Sequence, residues 1–204
     1  MRRFDIPVLG QLRRPHGALA PVTARVLNVV NQPINRLAVR ALELTGTEDV
    51  LDVGFGGGVG LALILPLLTT GCATGIDISD EMVRDAPRRF PEETATGHLR
   101  VARADVTALP FPESSFDRVY SVNTVFFWPD VRAGLLEIHR VLRPGARLVI
   151  AAPASAFLLA RIAGLTPPSG ATTMTQTQRL AEEVGFADVA TRGRAGASLL
   201  IASR

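Results

Sequence analysis

Nine consecutive residues, Asp52-Val53-Gly54-Phe55-Gly56-Gly57-Gly58-Val59-Gly60, constrain the fold more than any other part of this chain. They follow residues 48–53, which read as a buried strand through Val50, Leu51 and Val53, and precede Leu61 to Leu68, which read as a helix. Glycines at alternate positions between a strand and a helix let the backbone turn sharply and leave room for a ligand. A nucleotide-like cofactor is therefore expected on this loop. A dinucleotide fingerprint needs G-x-G-x-x-G, but counting from Gly54 puts Val59 at the last glycine, and counting from Gly56 puts Leu61 there. That register opposes NAD and keeps a nicotinamide-dependent oxidoreductase only as the alternative reading.

The alternation continues downstream. Residues 73–78 form a second strand ending at Asp77, and Ser79 is placed to cap a helix through Arg89 whose first turn carries Asp80 and Glu81. Strands follow at 99–103 and 116–122, then a helix from Asp130 to Leu142 and a strand at 146–151. Repeated strand-helix units predict an α/β fold with a parallel sheet and helices on both faces. Asp77 lies at a strand end, where a carboxylate can accept both hydrogen bonds of a ribose diol and repel a ribose phosphate. Asp105, after the third strand, is placed to accept a hydrogen bond from an adenine amino group. Each aspartate alone is also what a loop or a helix cap uses. Acids at three successive strand ends make the ligand reading the stronger one.

The two ends of the chain differ from this core. Ile34, Leu37, Ala38, Ala41 and Leu42 share a helical face, with Pro33 in the first turn and Gly46 as the stop. Thr175 and Gln178 fit a capping box for a helix ending at Gly185. Strands at 187–192 and 197–203 around the turn from Gly193 to Gly196 predict a hairpin, hence an antiparallel last strand. The segment from Pro153 to Thr173 is long for a connection, and its apolar run Ala156 to Leu165 is expected to close over the sheet edge as a lid. With 204 residues the chain suits one domain: an arm over 1–45, a cofactor-binding core over 46–152, and a lid linker, helix and hairpin over 153–204.

Charge and composition narrow the function classes. The pI of 10.3 suggests nucleic acid, yet the net charge is only +3, because all 22 basic residues are Arg and a single Tyr titrates below them. Residues 1–40 hold seven Arg against one acid, Asp5. That arm either draws an anionic substrate or a membrane surface, or carries solvated arginines. The longest apolar stretch, Val59 to Leu68, contains Pro66 and is too short to span a bilayer, so no integral membrane segment is expected. Asp5 and Pro7 interrupt what a signal peptide would need, and one cysteine, Cys72, excludes an internal disulfide or a multi-cysteine metal site. A cytoplasmic protein without a metal is the expectation.

Four segments together resemble the class I S-adenosylmethionine-dependent methyltransferases, especially the small-molecule branch related to the ubiquinone and menaquinone C-methyltransferases. They are VLDVGFGGG, GIDIS, ADVTALPFPESSFDRVYSVNTVFFWPD and EIHRVLRPGARLVI, in that order over most of residues 48–152. Two departures are Phe55, at a loop position often small in the family, and Ala146, in place of the second glycine of a P-G-G turn. The resemblance implies a Rossmann-like seven-stranded, mostly parallel sheet of order 3-2-1-4-5-7-6 and S-adenosyl-L-methionine as cofactor. It also implies that Asp52, Gly54 and Gly56 line the methionine half, Asp77 holds the ribose and Ile78 and Met82 flank the adenine. Asp105 and Val106 would bind the adenine edge, and Asn123 would lie under the sulfonium.

Methyl transfer from a sulfonium is an in-line displacement, in which alignment and exclusion of water matter more than a strong base. Among three histidines, His98 and His139 read as solvated and structural, and His16, in the arm, is the candidate base if one is needed. Phe126, Phe127 and Trp128 concentrate three of the ten Phe and Trp residues after the fourth strand. They suit an apolar or aromatic acceptor pocket, or equally plain core packing. If they continue the strand, alternation allows only some of them to face a pocket. No nucleic-acid recognition module is present, so a small lipophilic acceptor is expected. A non-catalytic cofactor-binding module is a further alternative.

Overall fold

The computed structural model describes residues 32–153, 173–194 and 196–204. The basic arm with His16, and the apolar lid over Ala156 to Leu165, lie outside the described residues. The chain enters through helix α1 (residues 32–41) and strand β1 (Val50–Val53), followed by α2 (Val59–Ile64) with a 3-10 turn at Leu65–Leu67. Next come β2 (Ala73–Asp77), α3 (Asp80–Arg89), a short α4 (Pro91–Ala95) and β3 (Leu99–Arg103). Strand β4 (Phe116–Val122), a 3-10 turn (Val125–Phe127), α5 (Val131–Val141) and β5 (Leu142–Pro153) complete the parallel part. Helix α6 (Met174–Val184) leads into the hairpin β6 (Ala187–Arg194) and β7 (Ala197–Ser203).

The sheet has seven strands in the order β3-β2-β1-β4-β5-β7-β6. Strands β1 to β5 pair in parallel, and β7 lies antiparallel to both β5 and β6. Chain direction across the sheet reverses between β1 and β4, which opens a crevice beyond their carboxyl ends. Every candidate acid sits at or near such an end.

Two apolar layers cover the sheet. Leu51, Val53, Val119, Leu148 and Ile150 face one layer, built with Leu135, Ile138 and Val141 of α5 and Ala181 of α6. Val50, Tyr120, Val149 and Ala151 face the other, built with Ile34 and Ala38 of α1, Leu61 and Ile64 of α2 and Ala86 of α3. The strands are apolar on both sides because both faces are buried, as a parallel sheet requires. Alternation along β1 puts Asp52 on the side of Val50, toward the layer that holds Tyr120 and α1.

Several boundaries differ from the sequence expectation. Helix α1 stops at residue 41 rather than at Gly46, and Glu43 adopts a left-handed φ of 51°. Its last carbonyls are taken by guanidinium groups from the sheet: Arg147 donates to Ala41 O at 2.9 Å and Arg118 to Leu42 O at 2.8 Å. Strand β1 starts at Val50 because Glu48 is used in a turn, accepting from Thr45 N, the Thr45 hydroxyl and Gly46 N at 2.7 to 2.9 Å. The capping box forms two residues early, with Thr173 and Gln176 as the reciprocal pair. That frame turns Thr177 and Ala181 inward, both fully buried. Ser79 holds the N-cap position of α3 without a capping side-chain bond.

Candidate active site

The glycine loop is shaped by what surrounds it. Gly54 has φ 78°, and a Cβ there would lie 2.5 Å from Thr124 Cγ2, so the β1 and β4 tips meet too closely for any side chain. Gly56 has φ 48°, and its Cβ position meets nothing nearer than Gly54 O at 3.9 Å. One glycine is needed for packing between strands, whereas the other borders open space where a ligand fits. Phe55, the unusual loop residue, turns into the core and lies over Gly75 of β2, whose Cβ position is 2.9 Å from its ring. A small residue in β2 accommodates the large one in the loop, and the ligand side stays clear.

Asp77 ends β2 with its carboxylate held by two backbone donors, Gly56 N to Oδ2 and Ser79 N to Oδ1, each at 2.9 Å. Burial raises its pKa above the ordinary value, although the backbone N–H groups of Ser79, Gly56 and Ile78 oppose the shift. Each oxygen keeps acceptor capacity for a ribose hydroxyl. Asp105 is oriented by Thr107, whose N–H and hydroxyl donate to Oδ1 at 2.9 and 2.8 Å.

Asp52 and Asn123 occupy neighbouring strand tips. Asp52 is 2% exposed, and burial followed by the charge of Asp77 raises its pKa well above the carboxylate range. Asn123 follows β4 with a left-handed φ of 63°, fixed by its N–H donating to Ala151 O at 2.8 Å. Among the described residues, the buried side-chain atoms without a hydrogen-bond partner are Asp52 Oδ2 and Asn123 Oδ1. Both are acceptors, and a buried acceptor without a donor is costly unless a ligand supplies one. Such acceptors suit a ligand that brings donors or positive charge.

The aromatic run does not extend β4. Val125–Phe127 form a 3-10 turn, so strand alternation does not apply to them. Phe126 and Trp128 pack against the core layer of α5, while Phe127 is 43% exposed. Trp128 lies against Gly134 together with Val106, and its Nε1 donates to Thr124 Oγ1 at 3.2 Å. Thr124 and Ser121 in turn both donate to Val53 O, at 3.3 and 3.1 Å. These hydroxyls tie the aromatic turn to the β1 tip. Sequence spacing missed them because a serine and a threonine at a strand end carry no distinct signal. Ile78 is exposed and Met82 buried in the α1 layer. His139 makes an edge contact with Phe186 at 5.0 Å, and its pKa is lowered by burial and by Arg204. His98 is half-buried, its Nε2 lying 3.4 Å from Leu65 O.

This arrangement has close relatives. A family profile described as a methyltransferase domain matches residues 51–150. The uncharacterized methyltransferase YdaC of Bacillus subtilis is 30% identical over 129 residues, covering 63% of this chain and 69% of that protein.

The chain belongs to the class I S-adenosylmethionine-dependent methyltransferases.

A demethylmenaquinone methyltransferase of Tropheryma whipplei is 38% identical over 119 residues, and this methyltransferase spans 46% of its length against 56% of its own. A SAM-dependent methyltransferase from Aquifex aeolicus shares the fold, with a TM-score of 0.70 at 21% identity over 98% of this chain and 99% of that one. S-adenosyl-L-methionine is the cofactor of the family, and the orphaned acceptors, the open face at Gly56 and the Asp77 carboxylate fit it. Membership sets aside the nicotinamide reading that the glycine register already opposed. Among the described residues no helix is long and apolar enough to cross a membrane.

Proposed function

We propose that this methyltransferase moves a methyl group to a small lipophilic or aromatic molecule, and that Asp52, Gly54, Gly56, Asp77, Ile78, Met82, Asp105, Val106 and Asn123 hold the cofactor. The observation that carries the site assignment is the pair of buried, unpartnered acceptors at adjacent strand tips. When bound, S-adenosylmethionine supplies an electrophilic methyl on a sulfonium. The protein's own part is alignment and exclusion of water. Asp77 accepts the ribose hydroxyls while its backbone bonds keep it from turning away. Asp105 takes the adenine amino group, and Asn123 Oδ1 presents an acceptor toward positive charge. The Asp52 carboxyl would take the methionine end.

Acceptor class is argued from the rim. Trp128 is anchored through Thr124, whereas Phe127 offers an apolar ring to solvent beside it. An exposed aromatic next to a buried polar crevice suits an apolar acceptor brought against a charged cofactor. The relative acting on demethylmenaquinone supports a lipophilic class. Incubating the full chain with methyl-labelled cofactor and a panel of phenols, thiols, amines and quinones tests the reading. Label appearing only in nucleic acid or protein would reject the small-molecule assignment. His16 remains the candidate base for acceptors that must lose a proton, tested by the pH profile of His16→Ala.

A further inference from the structure

Asp52 keeps a buried carboxyl oxygen without a partner among the described residues, and its neighbours explain why it stays so. Tyr120 of β4 is 1% exposed and stands on the same face of the sheet. A Cβ on Gly60 would lie 2.8 Å from Asp52 Oδ2 and 2.9 Å from the Tyr120 hydroxyl, so carboxyl and phenol converge over α2 in the space of a missing side chain. The phenol proton is already committed: Tyr120 donates to Oδ1 of Asn35, a buried residue on α1. Tyr120 therefore cannot donate to Asp52. Among the described residues, the groups facing the carboxyl are Tyr120 from β4, Asn35 behind it on α1, Gly60 from α2, and Asp77 at the β2 tip. The charged one among them is an anion, and its field acts against ionisation of Asp52. A carboxylate sealed from water with a negative neighbour and no donor takes up a proton instead.

We propose that Asp52 rests as the neutral acid and exchanges its proton for the α-ammonium of the incoming cofactor, with Tyr120, held by Asn35, as the positioning residue that withholds its hydroxyl proton from it. The inference rests on the cofactor reading above and adds its protonation step. The Asp52 O–H bond breaks, the proton leaves to solvent, and the carboxylate formed pairs with the ammonium, which keeps its own protons. Cofactor uptake then releases a proton, and affinity climbs with pH up to the point where Asp52 ionises unaided, by at most about tenfold per pH unit.

Titration calorimetry of the full chain with S-adenosylhomocysteine, run near pH 6 in buffers of different ionisation enthalpy, counts that proton. Release approaching roughly one proton per bound ligand is expected, falling as pH rises. Asp52→Asn should bind more weakly and release none. Asn35→Ala frees the Tyr120 hydroxyl to donate to Asp52 and should lower the count, whereas Tyr120→Phe, which also offers no donor, should keep it. Binding of the wild type without proton release, or undiminished release in Asp52→Asn, overturns the inference. An unchanged count in Asn35→Ala removes Tyr120 from it. Absence of any binding by the wild type would instead sink the cofactor reading itself.

Discussion

Replacing Asp77 with alanine tests the adenosine end of the site. In the folded chain its two oxygens accept from Gly56 N and Ser79 N at 2.9 Å each, leaving one acceptor direction per oxygen for the ribose. Losing two hydrogen bonds to a charged acceptor costs about 3 kcal/mol at the lower end of the range for such bonds. That converts to a loss of about a hundredfold in affinity for S-adenosylhomocysteine. Stability should move much less, by about 1 kcal/mol or under, because water can reach the freed amides at this half-buried position. Calorimetry and thermal melting of the same preparation separate the two effects. A dissociation constant within about threefold of wild type, with an unchanged melting curve, would refute the ribose assignment.

Three further outcomes follow from the geometry. Gly54→Ala should destabilise more than Gly56→Ala in urea unfolding, since both pay about 1 kcal/mol for the left-handed backbone but the Gly54 Cβ also meets Thr124 at 2.5 Å. Equal losses would contradict the close approach of β1 and β4. For Glu48, burial works to raise the pKa, but hydrogen bonds from Thr45 and Gly46 outweigh it and hold the group at about 2. Its stabilisation, about 3 kcal/mol, is complete above the ordinary carboxylate pKa and disappears as pH falls from there toward 2. Urea midpoints measured across that range should show a shallower acid limb in Glu48→Gln. Phe127→Ala should leave stability within about 0.5 kcal/mol, as expected for a half-exposed side chain, and raise KM for aromatic acceptors without changing cofactor affinity. An unchanged KM across the acceptor panel would take Phe127 out of the pocket.

The strand-turn-helix units, the parallel core, the antiparallel end of the sheet and the acids at the strand tips were all legible in the linear chain. Local chemistry wrote them: apolar runs long enough for buried strands, glycines where the backbone must turn, and carboxylates placed just after each run. Strand ends at residues 103 and 122 matched the expectation because both borders are marked by polar residues. The helix ending at residue 41 did not, since the guanidinium groups that take its carbonyls come from Arg118 and Arg147, far along the chain. Nor did the capping frame of α6, where a repeating Thr and Gln pattern offered two choices and burial of Thr177 decided between them.

The same division runs through the site. Asp77 and the glycine loop were proposed from their place at strand ends, and Asp52 from the family resemblance. Tyr120, Asn35, Ser121 and Thr124 could not be, because each acquires its role only when β4 is laid against β1 or when α1 brings Asn35 to Tyr120. Pairing of parallel strands joins residues tens of positions apart, and no local pattern encodes which hydroxyl will meet which carboxyl. Sequence alone pointed to the strand tips as the place for a cofactor; the packed sheet decided which polar groups stay unpaired there among the described residues.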